Sequence, residues 1–239
     1  MPRTTFTGDR FVLNCGSVAV VSEYRSFDDI DVITNNGYEA TAQLTQLKNG
    51  SVKDPYARTV FGIGFLGRRY KNREYADDQF KCWNRMFMRC YSSAYHEKQP
   101  TYEDCSVSIH WHDFSNFCDW HEESYIEGYV LDKDLKRFGN KVYNKDACAF
   151  IPAEINGTFL KPSKKVSGFP HGVIMQPRST TVYRSSIGTK SFPTMEEARD
   201  HYWLQKRKKA DELCEKWPQF ADLINNYLPQ FKAANWDAK

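Results

Sequence analysis

Cys105, His110, His112, Cys118 and His121 bring thiol and imidazole groups into one short stretch, and thiolate and imidazole are ligands that zinc prefers. Their spacing follows none of the usual paired-cysteine or paired-histidine patterns, and in an extended strand His110 and His112 share a face through period two alone. Structural zinc is therefore disfavoured against a reading with buried cysteines and partly exposed histidines. The seven cysteines are odd in number and scattered, which argues against a disulfide framework and for reduced thiols. His96 and His201 stand alone.

A second chemistry is electrostatic. Residues 158–210 hold eleven Lys and Arg against three Asp and Glu, a net +8, whereas residues 1–75 carry +2, 76–157 carry −5 and 211–239 carry −2. The whole chain is only +3, so the average conceals the concentration. Lys164 and Lys165 sit in a polar stretch, Lys161 to Gly168, and Lys206 and Arg207 open the run Lys206-Arg207-Lys208-Lys209. Such a segment is the electrostatic footprint expected on a polyanion, and its competing reading is a solvated basic surface.

The elements that must position these groups alternate in period. Residues 11–21, 29–34 and 38–43 are rich in β-branched and aromatic residues, and Asn35-Asn36-Gly37 predicts a hairpin turn between the last two. Val60 to Gly67 is apolar and punctuated by glycine; without a following helix it reads as strand or linker. Between Ala76 and Tyr91 the period becomes helical, with Phe80, Trp83, Met86, Phe87 and Cys90 on one face, a stripe expected to be core. A short helix is expected from Asp113 as N-cap, burying Phe114, Phe117, Cys118 and His121. Tyr129 to Asp134 reads as a strand ending in acids and Cys148 to Ile151 as a second strand. Pro152 then opens a helix.

Beyond the Lys161–Gly168 linker, short strands are predicted near Gly172–Met175, Thr181–Ile187 and Lys190–Phe192. The sequence Thr194-x-x-Glu197 opens a helix with a capping box and a last amphipathic helix lies between Pro218 and Tyr227. The fold class is α+β. A small antiparallel β module spans 1–75, a helix with a ββα core spans 76–160, and a basic three-stranded sheet packed on a helix, with further helices, spans 161–239. No secretory or membrane-spanning stretch is present in the sequence, so a cytoplasmic protein with no membrane partner is expected.

The ordered run Trp83-x-x-Met86-x-x-Arg89-Cys90-Tyr91, Pro100-x-Tyr102-x-x-Cys105, Trp111-x-x-Phe114 and Phe117-x-x-Trp120 resembles a segment of bacteriophage HNH-type homing endonucleases. Its continuation does so too, through Leu131-Asp132-Lys133-Asp134, Gly139-Asn140-Lys141-x-Tyr143, Cys148-x-Phe150-x-Pro152 and Ile155-Asn156. After the linker, His171-Gly172-Val173, Tyr183-Arg184, Phe192-Pro193-Thr194 and Glu197-Ala198 resemble the Apetala/ethylene-response-factor type of DNA-binding module. In that module a three-stranded sheet lies in the major groove. Carried over, the resemblance implies double-stranded DNA as partner, DNA contacts from Arg178, Arg184 and Lys190, and a location in the cytoplasm of an infected host cell.

The resemblance also implies a cleavage site, with a departure. Where a histidine base is expected, this chain has Leu131-Asp132. Asp132 and Asp134, with Asn140 or Asn156, have the hard oxygen ligands that Mg²⁺ or another divalent cation accepts. Asp132 would serve as base only if burial raised its pKa from about 3.9. The alternative is that Asp132, Asn140 and Asn156 cap turns of a ββα scaffold. Three functions stay open: a metal-dependent homing or nicking endonuclease, a non-catalytic DNA-binding regulator, or an inhibitor of a host protein that uses the acidic segment 76–157.

Overall fold

The computed structural model describes residues 5–70, 75–159, 169, 171–175, 183–188 and 190–236. In chain order these form β1 (Arg10–Val12), β2 (Val18–Ser26), β3 (Asp29–Thr34), β4 (Glu39–Ala42), α1 (Leu44–Lys48), α2 (Asp77–Tyr91) and α3 (Ser93–Lys98). There follow β5 (Ser106–Val107), α4 (Phe114–Ser124), β6 (Tyr129–Asp132), β7 (Val142–Tyr143), β8 (Ala149–Pro152) and α5 (Ala153–Phe159). The chain continues with β9 (Val173–Met175), β10 (Tyr183–Ser185), β11 (Ser191–Phe192), α6 (Met195–Lys216) and α7 (Ala221–Trp236). The architecture is mixed helix and sheet, as the α+β expectation requires. No described helix is long and apolar enough to cross a membrane.

Two compact units emerge: residues 1–123 with 142–144, and residues 124–141 with 145–239. This differs from the boundaries the sequence suggests at 75/76 and 160/161. The aromatic α2 groups with the N-terminal sheet, and the ββα segment shares its core with the C-terminal helices. Local composition marks a linker; which apolar faces bury each other is a tertiary matter.

In the first unit β1 to β4 form an antiparallel meander. Period two puts Ala19 and Val21 of β2 and Ile30 and Val32 of β3 inward, where Leu13, Leu44 and Leu47 close the core. Residues 11–21 are not one strand: Leu13 to Ser17 turn the chain, with Gly16 at a φ of 87°, so that β1 folds back on β2. The Asn35-Asn36-Gly37 turn joins β3 to β4 as expected. Val60 to Gly64 is neither strand nor linker but a tight hairpin turn, closed by the Ile63 N–H to the Val60 carbonyl, with Phe61 at a φ of 52°.

The rest of this unit is an aromatic core. Trp83 is fully buried, donates its indole N–H to the Trp111 carbonyl at 2.8 Å, and meets the Phe87 and Phe114 rings at 4.6 and 5.1 Å. The α2 stripe is therefore structural, with Met86, Phe87 and Cys90 buried beside it. Asp113 caps α4 as expected, its carboxylate accepting the Ser115 N–H, and Phe114, Phe117, Cys118 and His121 turn inward. The segment holding His110 and His112 is a 3-10 turn over Ile109–His112, not a strand, so period two does not apply to it.

In the second unit β6 and β8 pair antiparallel, Asp132 opposite Ala149, and α5 follows β8 directly. Pro152 ends the strand instead of opening the helix, which starts at Ala153. β9, β10 and β11 form an antiparallel meander with β10 central, and this sheet packs on α6. Thr194 caps α6 through the Glu197 N–H, and α7 runs on past Tyr227 to Trp236. Ile151, Ile155 and Phe159 of the ββα segment share one core with Tyr202, Trp203, Leu213, Ile224, Tyr227 and Phe231.

Truncating Trp83 leaves a large cavity and orphans the Trp111 carbonyl. Trp83→Ala is expected to cost about 3–5 kcal/mol and to lower the melting temperature of this unit by about 10 °C. An unchanged melting temperature in scanning calorimetry would place Trp83 on a surface instead of in the core.

Candidate nucleic-acid interface and acidic cleft

The sheet β9–β11 has two faces set by its register. Val173 and Ser185, opposite each other, are buried, and Tyr183 pairs with Phe192, whose ring lies 5.0 Å from His201 of α6. These residues line the helix side. Arg184, between Tyr183 and Ser185, alternates to the other face, opposite Ile174 and Ser191. It is half-buried, and its Nε finds no hydrogen-bond partner among the described residues. A strand arginine on the face away from the supporting helix has the placement that a groove contact needs.

Gly172 fixes how close this sheet comes to α6. Its φ is 85°, and a Cβ there would fall 2.3 Å from the Tyr202 ring, so only glycine admits the approach. The neighbouring His171 ring nitrogen lies 3.0 Å from the Tyr202 hydroxyl.

The other basic candidates separate. Lys190 is exposed just before β11, its ammonium 5.5 Å from the centre of the Phe192 ring. Arg207 is exposed and pairs with Asp211 at 2.8 Å. Lys206 is 8% exposed: it donates to the Thr158 carbonyl, lies against the Tyr202 and Phe231 rings, and is set apart from the exposed Arg207 beside it. Burial pushes its pKa down. Lys164, Lys165 and Arg178 lie outside the described residues.

At the end of β6, Asp132, Asp134 and Asn156 line a cleft of about 30 Å³ with Ile155, Phe159 and Tyr227, room for about one water molecule. Asn140 does not line it. Instead the Asn140 side-chain amide donates to the Lys133 carbonyl at 2.9 Å, while the Lys133 ammonium donates to the Asn140 carbonyl at 2.9 Å and to Asp134 at 2.6 Å. One Asp132 oxygen accepts the backbone N–H groups of Asp134 and Leu135 at 2.8 and 2.6 Å, the turn-capping arrangement. Burial raises the Asp132 pKa, and the hydrogen bond from Leu135 opposes the rise.

These donors fit a divalent cation poorly. Asp132 has one oxygen committed to the turn, Asp134 is tied to a buried ammonium that repels a cation, and Asn140, whose amide nitrogen donates to the Lys133 carbonyl, does not line the cleft. Among the described residues no group of three or more His, Cys, Asp and Glu is disposed to hold a metal. Cys105, His112 and His121 are engaged separately: the Cys105 thiol with the Thr101 carbonyl, His112 with the Val107 carbonyl, and His121 buried against Phe117. His110 is exposed.

Sequence reasoning missed Lys133 and Glu154. Lys133 lies between two acids and reads as exposed charge, yet it is buried. Glu154 ties α5 to α6 through Lys209 at 2.9 Å and Lys216 at 2.7 Å. Its only sequence signal is an acid in a helix's first turn. Comparison of the chain with protein families, characterised proteins and solved structures finds no match.

Lys216, then Lys209, hold the Glu154 carboxyl down to about 2, against 4.5 for a free side chain. The depressed value means a stabilisation present in full above the unfolded pKa and lost as pH falls toward 2. In paired thermal melts, wild type should therefore exceed Glu154→Gln near pH 6, and the gap should close near pH 2. A gap independent of pH would show that the carboxylate's charge is not what holds α5 to α6.

Proposed function

We propose that this chain binds double-stranded DNA through the β9–β11 sheet and does so without cutting it. The observation that carries the reading is Arg184. It stands on the central strand, at a register position that alternates away from the helix side, in the segment of the chain with a net +8. Arginine suits this role because its planar guanidinium can donate two parallel hydrogen bonds to a guanine edge. The likeness to the Apetala/ethylene-response-factor type of module supports the same face as the contact, and the likeness to phage HNH-type proteins supports DNA as the partner of the ββα segment.

Binding without cleavage is favoured by the acidic cleft. Its carboxylates cap a turn and neutralise Lys133, so they serve the scaffold. The raised proton affinity of Asp132 is the one feature that favours cleavage, since a more basic carboxylate is a better general base.

Gel-shift titration of duplex DNA should find Arg184→Ala weakened by about 1–3 kcal/mol and less selective among sequences, and Arg184→Lys only partly restored. Equal binding by wild type and Arg184→Ala would remove the sheet from the interface. With Mg²⁺ or Mn²⁺, wild type and Asp132→Asn should leave supercoiled plasmid intact. Metal-dependent nicking lost in Asp132→Asn would establish the nuclease reading instead.

A further inference from the structure

Among the described residues Lys206 is a cation without a counter-ion. It is 8% exposed, and its ammonium meets a carbonyl, that of Thr158, and the faces of Tyr202 and Phe231. No carboxylate pairs with it among the described residues. Burying a charge without an opposite charge is costly, and proteins that do so commonly reserve the charge for a ligand or a reaction.

The surroundings of Lys206 are open on one side. With Lys208 and Lys209 from α6 and Gly157 and Thr158 from α5 it lines a groove of about 380 Å³. Lys209 is shared between Glu154 and Glu212, at 2.9 and 3.4 Å, and Glu212 also lines the groove. Lys208 is exposed and enters no ion pair among the described residues. The groove thus holds two cations that no carboxylate of the described residues neutralises.

Gly157 adds a steric observation. Glycine inside a helix is a destabilising choice, and here a Cβ would meet nothing within 4 Å. Packing among the described residues does not require it. Its absence of a side chain does keep the floor of the groove open where a ligand would approach the backbone closely.

We infer that the α5–α6 groove seats a phosphate of the DNA backbone, held by Lys206 and Lys208 over Gly157. This rests on the DNA-binding reading and adds to it a contact on the helix layer, separate from Arg184 on the sheet. A phosphate supplies a counter-charge that no described carboxylate gives Lys206, and lysine, a compact point charge, suits phosphate where arginine suits a base edge. The groove contributes affinity and register and carries no sequence preference of its own.

The test measures duplex binding by anisotropy across a range of salt concentrations for wild type, Lys206→Met, Lys208→Ala, Gly157→Glu and Arg184→Ala. Lys206→Met and Lys208→Ala should each weaken binding severalfold for every sequence tried and reduce the slope of log affinity against log salt by about one. Gly157→Glu should weaken it further by filling the groove with a carboxylate. The melting temperature of Lys206→Met should be unchanged or raised, since an uncompensated charge is removed; a purely structural lysine would lower it. If wild type binds and Arg184→Ala weakens it while affinity and salt slope stay fixed in the three groove variants, the groove inference is wrong and the sheet reading survives. If wild type binds no duplex, both fail. Inorganic phosphate is the control: stabilisation of wild type by phosphate, absent in Lys206→Met and without any change in duplex affinity, would make the ligand a free phosphate and overturn the assignment to DNA.

Discussion

The second unit depends on α6 being buried on more than one side. A helix with a single apolar stripe can support one layer, but α6 buries Ala198, Tyr202, Trp203, Lys206, Ala210 and Leu213 along its 22 residues. Its first half receives the β9–β11 sheet through Tyr202 and the side-chain-free Gly172. Further along, the same helix packs with Ile151, Ile155 and Phe159 of the ββα segment and with α7. One helix thereby fixes a basic sheet, an acidic cleft and a lysine groove in a common frame.

That double duty explains the fate of the basic run. Four consecutive cations on a helix must point in different directions, because successive side chains are about 100° apart. Lys206 is carried inward, Arg207 stays in solvent with Asp211, Lys208 faces the groove, and Lys209 is drawn to Glu154. A run that reads as one basic patch is divided into a buried charge, two ion-paired charges and one that no described residue pairs. The acidic end of β6 follows the same logic, since Lys133 is buried and brings Asp134 with it.

Much of this was legible in the sequence wherever a local rule decided the outcome. The period of α2, the Asp113 and Thr194 caps, the Asn35-Asn36-Gly37 turn and the three short strands before α6 all rest on nearest-neighbour chemistry. What was not legible depended on distant partners. The fold-back at Gly16 hides inside an apolar stretch whose composition is uniformly strand-like. The unit boundary near residue 123 follows from Ile155 and Phe159 burying against α6 and α7, which no local composition announces. Of the four expected oxygen ligands, Asp132, Asp134 and Asn156 do meet in one cleft, but Asn140 is taken by Lys133. The burial that raises the pKa of Asp132 could be named beforehand only as a condition.

Backbone hydrogen exchange of the full chain, with and without duplex DNA, tests the assignment of the sheet most directly. DNA is expected to slow exchange in Val173–Met175 and Tyr183–Ser185 and to leave the β1–β4 meander unchanged. Protection confined to residues 5–123, or no protection anywhere under conditions where the duplex is bound, would contradict that assignment.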